Sequence, residues 1–209
     1  MEQSELIKQA IVIVSVAETY HTHVPPLLKS LEDISYPIYV VVNNSKNLDK
    51  PINAINHLFI DENRWECGAI EAILVYTKIE EFVFLHDTVE IVDASIFDIM
   101  FKVFAERSVS FGPTWECYLG KYRKAVLDQL SIPICLSKMD AIYQEFMFHR
   151  QYKYVAENLI EHKELVVLFP EWKNENIENQ VDYKWDRTNL VMSNPYIIKR
   201  KGIGGINAQ

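Results

Sequence analysis

The chain is poor in the features that usually announce a nucleotide or a metal. Only six glycines occur in 209 residues. None of them builds a Gly-x-x-x-x-Gly-Lys-Ser/Thr loop or a Gly-x-Gly-x-x-Gly turn, which excludes the two commonest phosphate cradles. No Gly-x-Ser-x-Gly elbow is present, which argues against an α/β-hydrolase. The three cysteines, Cys67, Cys117 and Cys135, are an odd number at no metal-like spacing and suit reduced thiols. No apolar run approaches the ~20 residues that span a bilayer, so no transmembrane segment is expected. Met1-Glu2-Gln3-Ser4-Glu5 is acidic where a secretion signal is basic, so a cytoplasmic location is expected. Basic residues are also short: 21 Lys and Arg against 29 Asp and Glu leave a net charge of -8. That balance argues against a nucleic-acid partner, which needs a basic face, but leaves room for a small anion in a local site.

What is present is apolar and β-branched. At 49% hydrophobic content the chain can bury one full core, and a single domain is expected. Ala10–Val16, Ile38–Val42 and Phe82–Leu85 are unalternated apolar runs, the pattern of strands buried on both faces. Between them, Leu27, Leu28 and Leu31 give one helix an apolar face, with Pro25-Pro26 suited to its start after a loop over residues 17–23. Ala69, Ile70, Ile73 and Leu74 mark a second helix, preceded by a short strand at His57–Ile60 and by cap candidates in Asp61-Glu62-Asn63. The β-α-β-α-β alternation predicts an α/β fold with a mostly parallel central sheet and helices on both faces.

The second half is less regular. It predicts a strand at Ser108–Phe111, a helix after Gly120 carrying Tyr122, Val126 and Leu130, and a longer helix over Met139–Ile160 with Ile142, Phe146 and Met147 inward. A strand at Leu165–Phe169, a polar loop over Glu171–Trp185 and an apolar segment over Leu190–Ile198 complete the chain.

The order of pieces resembles the GT-A glycosyltransferases, in particular small relatives of the family-2-like enzymes. The resemblance is carried by Ile11–Val16, Leu27–Leu31, Tyr39–Ser45, Asn63–Ala69 and Phe82–Thr88, over about residues 10 to 125, with a weaker echo in Arg187–Met192. It implies a single GT-A-like (nucleotide-diphospho-sugar transferase) domain over residues 1–209. Residues of about 10–90 would form its nucleotide-binding half and about 91–200 its acceptor-side half. The implied reaction moves a sugar from a UDP- or GDP-linked donor to a hydroxyl on a glycan or other acceptor.

The same resemblance assigns residues. Val16, Glu18 and Thr19 after the first strand, with Asn43, Asn44 and Ser45 after the second, would hold base and ribose; the amide and hydroxyl groups also suit a plain turn. Glu66 and Gly68 open a helix beside that crevice, Glu66 also being a good partner for the helix dipole. His86-Asp87-Thr88 stands where these enzymes carry Asp-x-Asp, with Val89 in place of the second acid or Leu85 in place of the first. Asp87 is then the catalytic acid and the ligand of Mn2+ or Mg2+, an oxygen site for a hard cation bridging a diphosphate. An inverting enzyme also needs a base. Glu116, Asp140 and Glu145 are candidates, and Glu145 is favoured beside the apolar Phe146 face. Trp115–Arg123 resembles an acceptor-side segment in which Lys121 and Arg123 could meet phosphate, and Lys199-Arg200-Lys201 could close over the diphosphate. His21 and His23 read as incidental loop histidines. A nucleotidyltransferase is disfavoured because Val16–Tyr20 is neither glycine-rich nor basic. A silent GT-A-like module binding glycans or a protein is the remaining alternative.

Overall fold

The structure, a computed structural model, describes residues 6–53, 55–112, 119–160, 165–169, 173–175, 191–193 and 195–200. Three buried apolar runs form neighbouring parallel strands: β1 (Ile7–Val16), β2 (Ile38–Asn43) and β4 (Ile79–His86). β3 (Asn56–Phe59) adds a fourth parallel strand beside β2. On the other side of β4, β7 (Gly120–Arg123) runs antiparallel, followed by β6 (Val109–Ser110) and β8 (Val166–Val167). The result is a seven-stranded sheet in the order β3-β2-β1-β4-β7-β6-β8.

Alternation along the strands sorts side chains into two layers. Ile11, Ile13, Val83 and Leu85 meet α1 (Ala17–Ser30) and the segment of α3 (Ser95–Asp98) with the π-turn Ile99–Val103. Val12, Phe82 and Phe84 meet α2 (Trp65–Tyr76), α4 (Lys124–Leu127) and α5 (Lys138–Val155), which runs on into a π-turn at Ala156–Ile160. The expected sheet with helices on both faces is therefore present. A second, four-stranded sheet, β5-β11-β10-β9, is made by β5 (Val89–Ile91), β11 (Ile197–Arg200), β10 (Val191–Ser193) and β9 (Lys173–Glu175). It starts two residues beyond Asp87.

Several expectations are corrected. Residues 17–23 are helix, not loop: α1 leaves β1 directly and carries Pro25 and Pro26 in its interior. The two prolines cannot bond the carbonyls of His21 and Thr22. All four residues are exposed, so water can take those carbonyls. Residues 120–123 are strand, not the approach to a helix, because Tyr122 pairs with Phe82 and Gly120 with Phe84 across β4. On α5 Ala141, Phe148, His149, Tyr152 and Val155 are buried, Met147 is partly buried and Ile142 is exposed, while the Phe146 side chain lies outside the described residues. Within the expected loop over residues 171–185, Lys173–Glu175 is a strand.

Candidate functional site

The carboxyl ends of β1, β2 and β4 lie side by side, Val14 in register with His86 and Val16 with Asn43. Ligands of such sheets bind beyond these strand ends. Asp87 follows β4 there, its backbone N–H donating to the Val14 carbonyl at 3.0 Å. Successive residues on a strand face opposite layers, and His86 and Asp87 divide accordingly.

Asp87 turns toward α1. Its Oδ2 accepts from Ser15 Oγ at 2.6 Å and from Thr19 Oγ1 at 3.1 Å, and His23 Nδ1 stands 3.7 Å away. The Asp87 carboxylate raises the His23 pKa, against an opposing effect of burial. All these contacts fall on one oxygen, leaving Oδ1 without a partner among the described residues. Thr19, expected to hold base and ribose, here donates to Asp87; Ser15 carried no expectation, and His23 read as an incidental loop histidine. Ser15 is signalled by a hydroxyl closing the apolar run of β1, on the face of Ile11 and Ile13. Thr19 and His23 are one helical turn apart, a spacing that has meaning only once residues 17–23 are read as helix.

His86 turns the other way, its Nε2 3.3 Å from Glu66 Oε1 in the first turn of α2. On this layer Tyr122 is fully buried, its hydroxyl 2.8 Å from His149 Nε2. Burial holds the Tyr122 phenol well above its usual range, and the charges of Tyr152, Cys67, Glu145 and Glu66 add to the effect. Glu145 on α5 and Glu66 on α2 thus act on one phenol from two helices, on the opposite side of the sheet from Asp87.

The anticipated nucleotide residues divide by exposure. Asn44, in a left-handed conformation at φ 57°, donates from Nδ2 to the Glu18 carboxylate at the surface. Ser45 begins a short 3-10 turn, its hydroxyl 3.4 Å from Asp61 Oδ1. Val16 and Thr88 are partly exposed at the strand ends. Asn43 has a different task from the ligand contact expected of it. It is completely buried, its Oδ1 accepting from the Arg64 N–H at 3.0 Å and its Nδ2 donating to the Trp65 carbonyl at 3.3 Å. Asn43 therefore clamps the start of α2 to the end of β2.

That start is strained. Trp65 has φ 51°, a conformation costing a bulky residue on the order of 1–3 kcal/mol. Asn63 Oδ1 accepts the Trp65 N–H at 3.2 Å, so side chains on both sides of the peptide hold it in place. Gly68 belongs to the same device: a Cβ there would collide with the Arg64 Cβ. Glycine at this position serves close packing within α2.

Lys121 and Arg123 do not approach this crevice. Lys121 is completely buried, donating to the Phe104 carbonyl at 2.8 Å and standing 3.4 Å from Glu81 Oε2; Arg123 Nε lies 3.3 Å from Glu81 Oε1. Arg123, together with Lys8 and Gln9, borders a cleft of about 500 Å3 near the amino-terminal ends of β1 and β4, away from Asp87. Residues 115–118, Glu116 among them, and Lys201 lie outside the described residues.

Among the described residues no group of three or more His, Cys, Asp or Glu converges as a metal site. Asp87 Oδ1 alone fits an ion that takes the rest of its shell from a diphosphate and water. No helix among the described residues is long and apolar enough to cross a membrane.

No protein-family model matches the chain, and no curated protein matches it. Among solved structures, S. aureus TarS 1-349 matches with a TM-score of 0.50 at 12% identity, over 72% of this chain and 56% of that one. A second S. aureus TarS structure gives a TM-score of 0.42 at 12% identity, over 59% of this chain and 29% of that one. The chain thus spans little more than half of the shorter TarS structure. At such identity the likeness bears on fold alone. With its mostly parallel seven-stranded sheet layered by helices on both faces, the chain has a GT-A-like fold.

Proposed function

We propose that this protein is a glycosyltransferase moving a sugar from a UDP- or GDP-linked donor to a hydroxyl acceptor such as a glycan, in the cytoplasm. The observation that carries the reading is Asp87: a carboxylate at the end of a buried parallel strand, anchored through one oxygen and open at the other. Residues of about 10–90 form the nucleotide half. Val16, Glu18, Asn44 and Ser45 meet base and ribose, Thr19 orients Asp87, and Asn43 and Gly68 hold the wall of the crevice. His86 and Thr88 flank Asp87 beside the diphosphate, and Glu66 orients His86. Asp87 with the donor diphosphate would hold Mn2+ or Mg2+, which offsets charge on the leaving group when bound. Glu145, from the acceptor-side half of about 91–200, takes the proton of the attacking hydroxyl in an inverting transfer, the acceptor entering from the α2 and α5 side of the sheet while the diphosphate lies at Asp87.

One observation favours a second reading, a silent GT-A-like module that binds glycans or a protein. Ser15, Thr19 and His23 all engage Asp87, as they would engage a purely structural acid. Thermal shift and donor hydrolysis with UDP-glucose, UDP-N-acetylglucosamine, UDP-galactose and GDP-mannose, with and without Mn2+, separate the two. The transferase stabilises with at least one donor and hydrolyses it slowly. No shift and no hydrolysis with any donor would leave the silent module.

A further inference from the structure

α2 opens on a bulky aromatic residue in a conformation that glycine or asparagine adopts far more readily. Asn43 and Asn63 supply side-chain hydrogen bonds that fix the peptide of Trp65, and Gly68 makes room for the turn that results. Three residues from two segments thus accommodate Trp65. If the start of α2 needed only this backbone shape, a glycine or an asparagine would provide it more easily; the indole is what the site retains.

The surroundings of that indole indicate its use. It packs on the core beneath α2 and α5, yet remains partly exposed. Among the described residues its N–H has no hydrogen-bond partner and its ring faces no second aromatic ring. The Trp65 carbonyl accepts from Asn43 at the end of β2, and the next residue, Glu66, reaches His86, so Trp65 stands at the carboxyl edge of the sheet. It shares the layer of Glu66 and His86, whereas Glu18 and Thr19 occupy the α1 layer.

We infer that Trp65 is a stacking platform for a pyranose ring on the α2 side of the crevice. The assignment of this ring to a transfer substrate rests on the transferase reading above. The face of an indole is apolar and carries partial negative charge, which complements the C–H face of a pyranose, while the N–H can donate to a ring hydroxyl. A backbone held from both sides fixes the direction in which the side chain leaves α2, so less freedom is lost on binding. The pyranose is that of the donor or that of the acceptor, and the two sources are separable.

The test uses the full chain with Trp65→Phe, Trp65→Leu and Trp65→Gly. The Gly variant suits φ 51° and so keeps the start of α2, as circular dichroism can verify. Calorimetry measures affinity for UDP, UDP-glucose, UDP-N-acetylglucosamine and GDP-mannose, and rates are measured with maltotriose and chitotriose as acceptors. Trp65→Phe is expected within about threefold of the parent, and the Leu and Gly variants about tenfold weaker, in line with the worth of an aromatic stack. If the donor provides the ring, affinity for the nucleotide sugar falls while affinity for UDP alone holds. If the acceptor provides it, donor affinity holds and the KM of the oligosaccharide rises. Unchanged donor affinity together with unchanged acceptor KM in the Leu and Gly variants overturns the inference. A parent protein that binds no nucleotide sinks the transferase reading separately. In that event, binding of maltotriose or chitotriose that is lost in the Leu and Gly variants still supports the platform, and no binding of either sugar overturns it.

Discussion

At the scale of single residues, Asp87 combines a structural and a chemical task. Replacing it with alanine removes the shorter acceptor of the Ser15 and Thr19 hydroxyls and leaves them only the longer contacts to the Val16 carbonyl. Urea denaturation of Asp87→Ala is therefore expected to show a loss of about 1–3 kcal/mol. On the proposed function the same variant has no turnover; full turnover would remove Asp87 from the reaction. His149 gives a pH dependence of the opposite layer. Burial lowers its pKa from 6.5 to about 3, so the unfolded chain takes up a proton that the folded chain refuses. The contribution to stability is complete above the unfolded value and is lost as pH falls from 6.5 toward about 3. His57, also lowered by burial, works in the same direction. Unfolding free energy measured across that range should decline, and His149→Gln should flatten the decline. Of these residues Asp87 was legible from sequence, since a polar residue after four buried apolar ones has few other places to be. His149 was not, because a histidine on a helix carries no mark of whether it is buried beside a tyrosine.

At the scale of elements, the buried strands were legible and the exposed or charged elements were not. β1, β2 and β4 declare themselves by continuous apolar runs. β7 is hidden by its Gly-Lys-Tyr-Arg sequence, because a lysine that is completely buried against Glu81 and a backbone carbonyl looks like a surface residue. α1 was hidden by Pro25-Pro26, which reads as a helix start although the chain uses it as an interior. The physics of these helices sets two expected outcomes. Pro25→Ala with Pro26→Ala restores two backbone hydrogen bonds, offset by greater freedom of the unfolded chain, and should raise stability by about 2 kcal/mol. Gly68→Ala forces a methyl group onto the Arg64 side chain and should lower stability by about 1–3 kcal/mol. Thermal melts of the two variants should move in opposite directions, and a melt moving the other way would contradict the account of that helix.

At the scale of the whole molecule, the expected layered sheet is present, but the second sheet was not visible in the sequence. Its strands are short and far apart: β5 is joined by β11 from more than a hundred residues later, a pairing no local pattern encodes. Ile197 on β11 is completely buried in the same cluster as Val89 and Ile91 of β5. Ile197→Ala should therefore cost about 2–5 kcal/mol by calorimetry. Since β5 begins two residues after Asp87, the same change should weaken nucleotide-sugar affinity as well. An unaltered affinity would show that the second sheet does not brace the crevice.

β4 has a consequence for motion. It is hydrogen-bonded to β1 along one edge and to β7 along the other, and Phe82 through Leu85 are sealed from solvent by both helical layers. Amide deuterium uptake should be slowest along this strand, whose protons exchange only when the whole sheet opens. Asp87 is thus moored to the last segment of the protein to let go, and its position should persist through any local breathing of α1 or the loops around it.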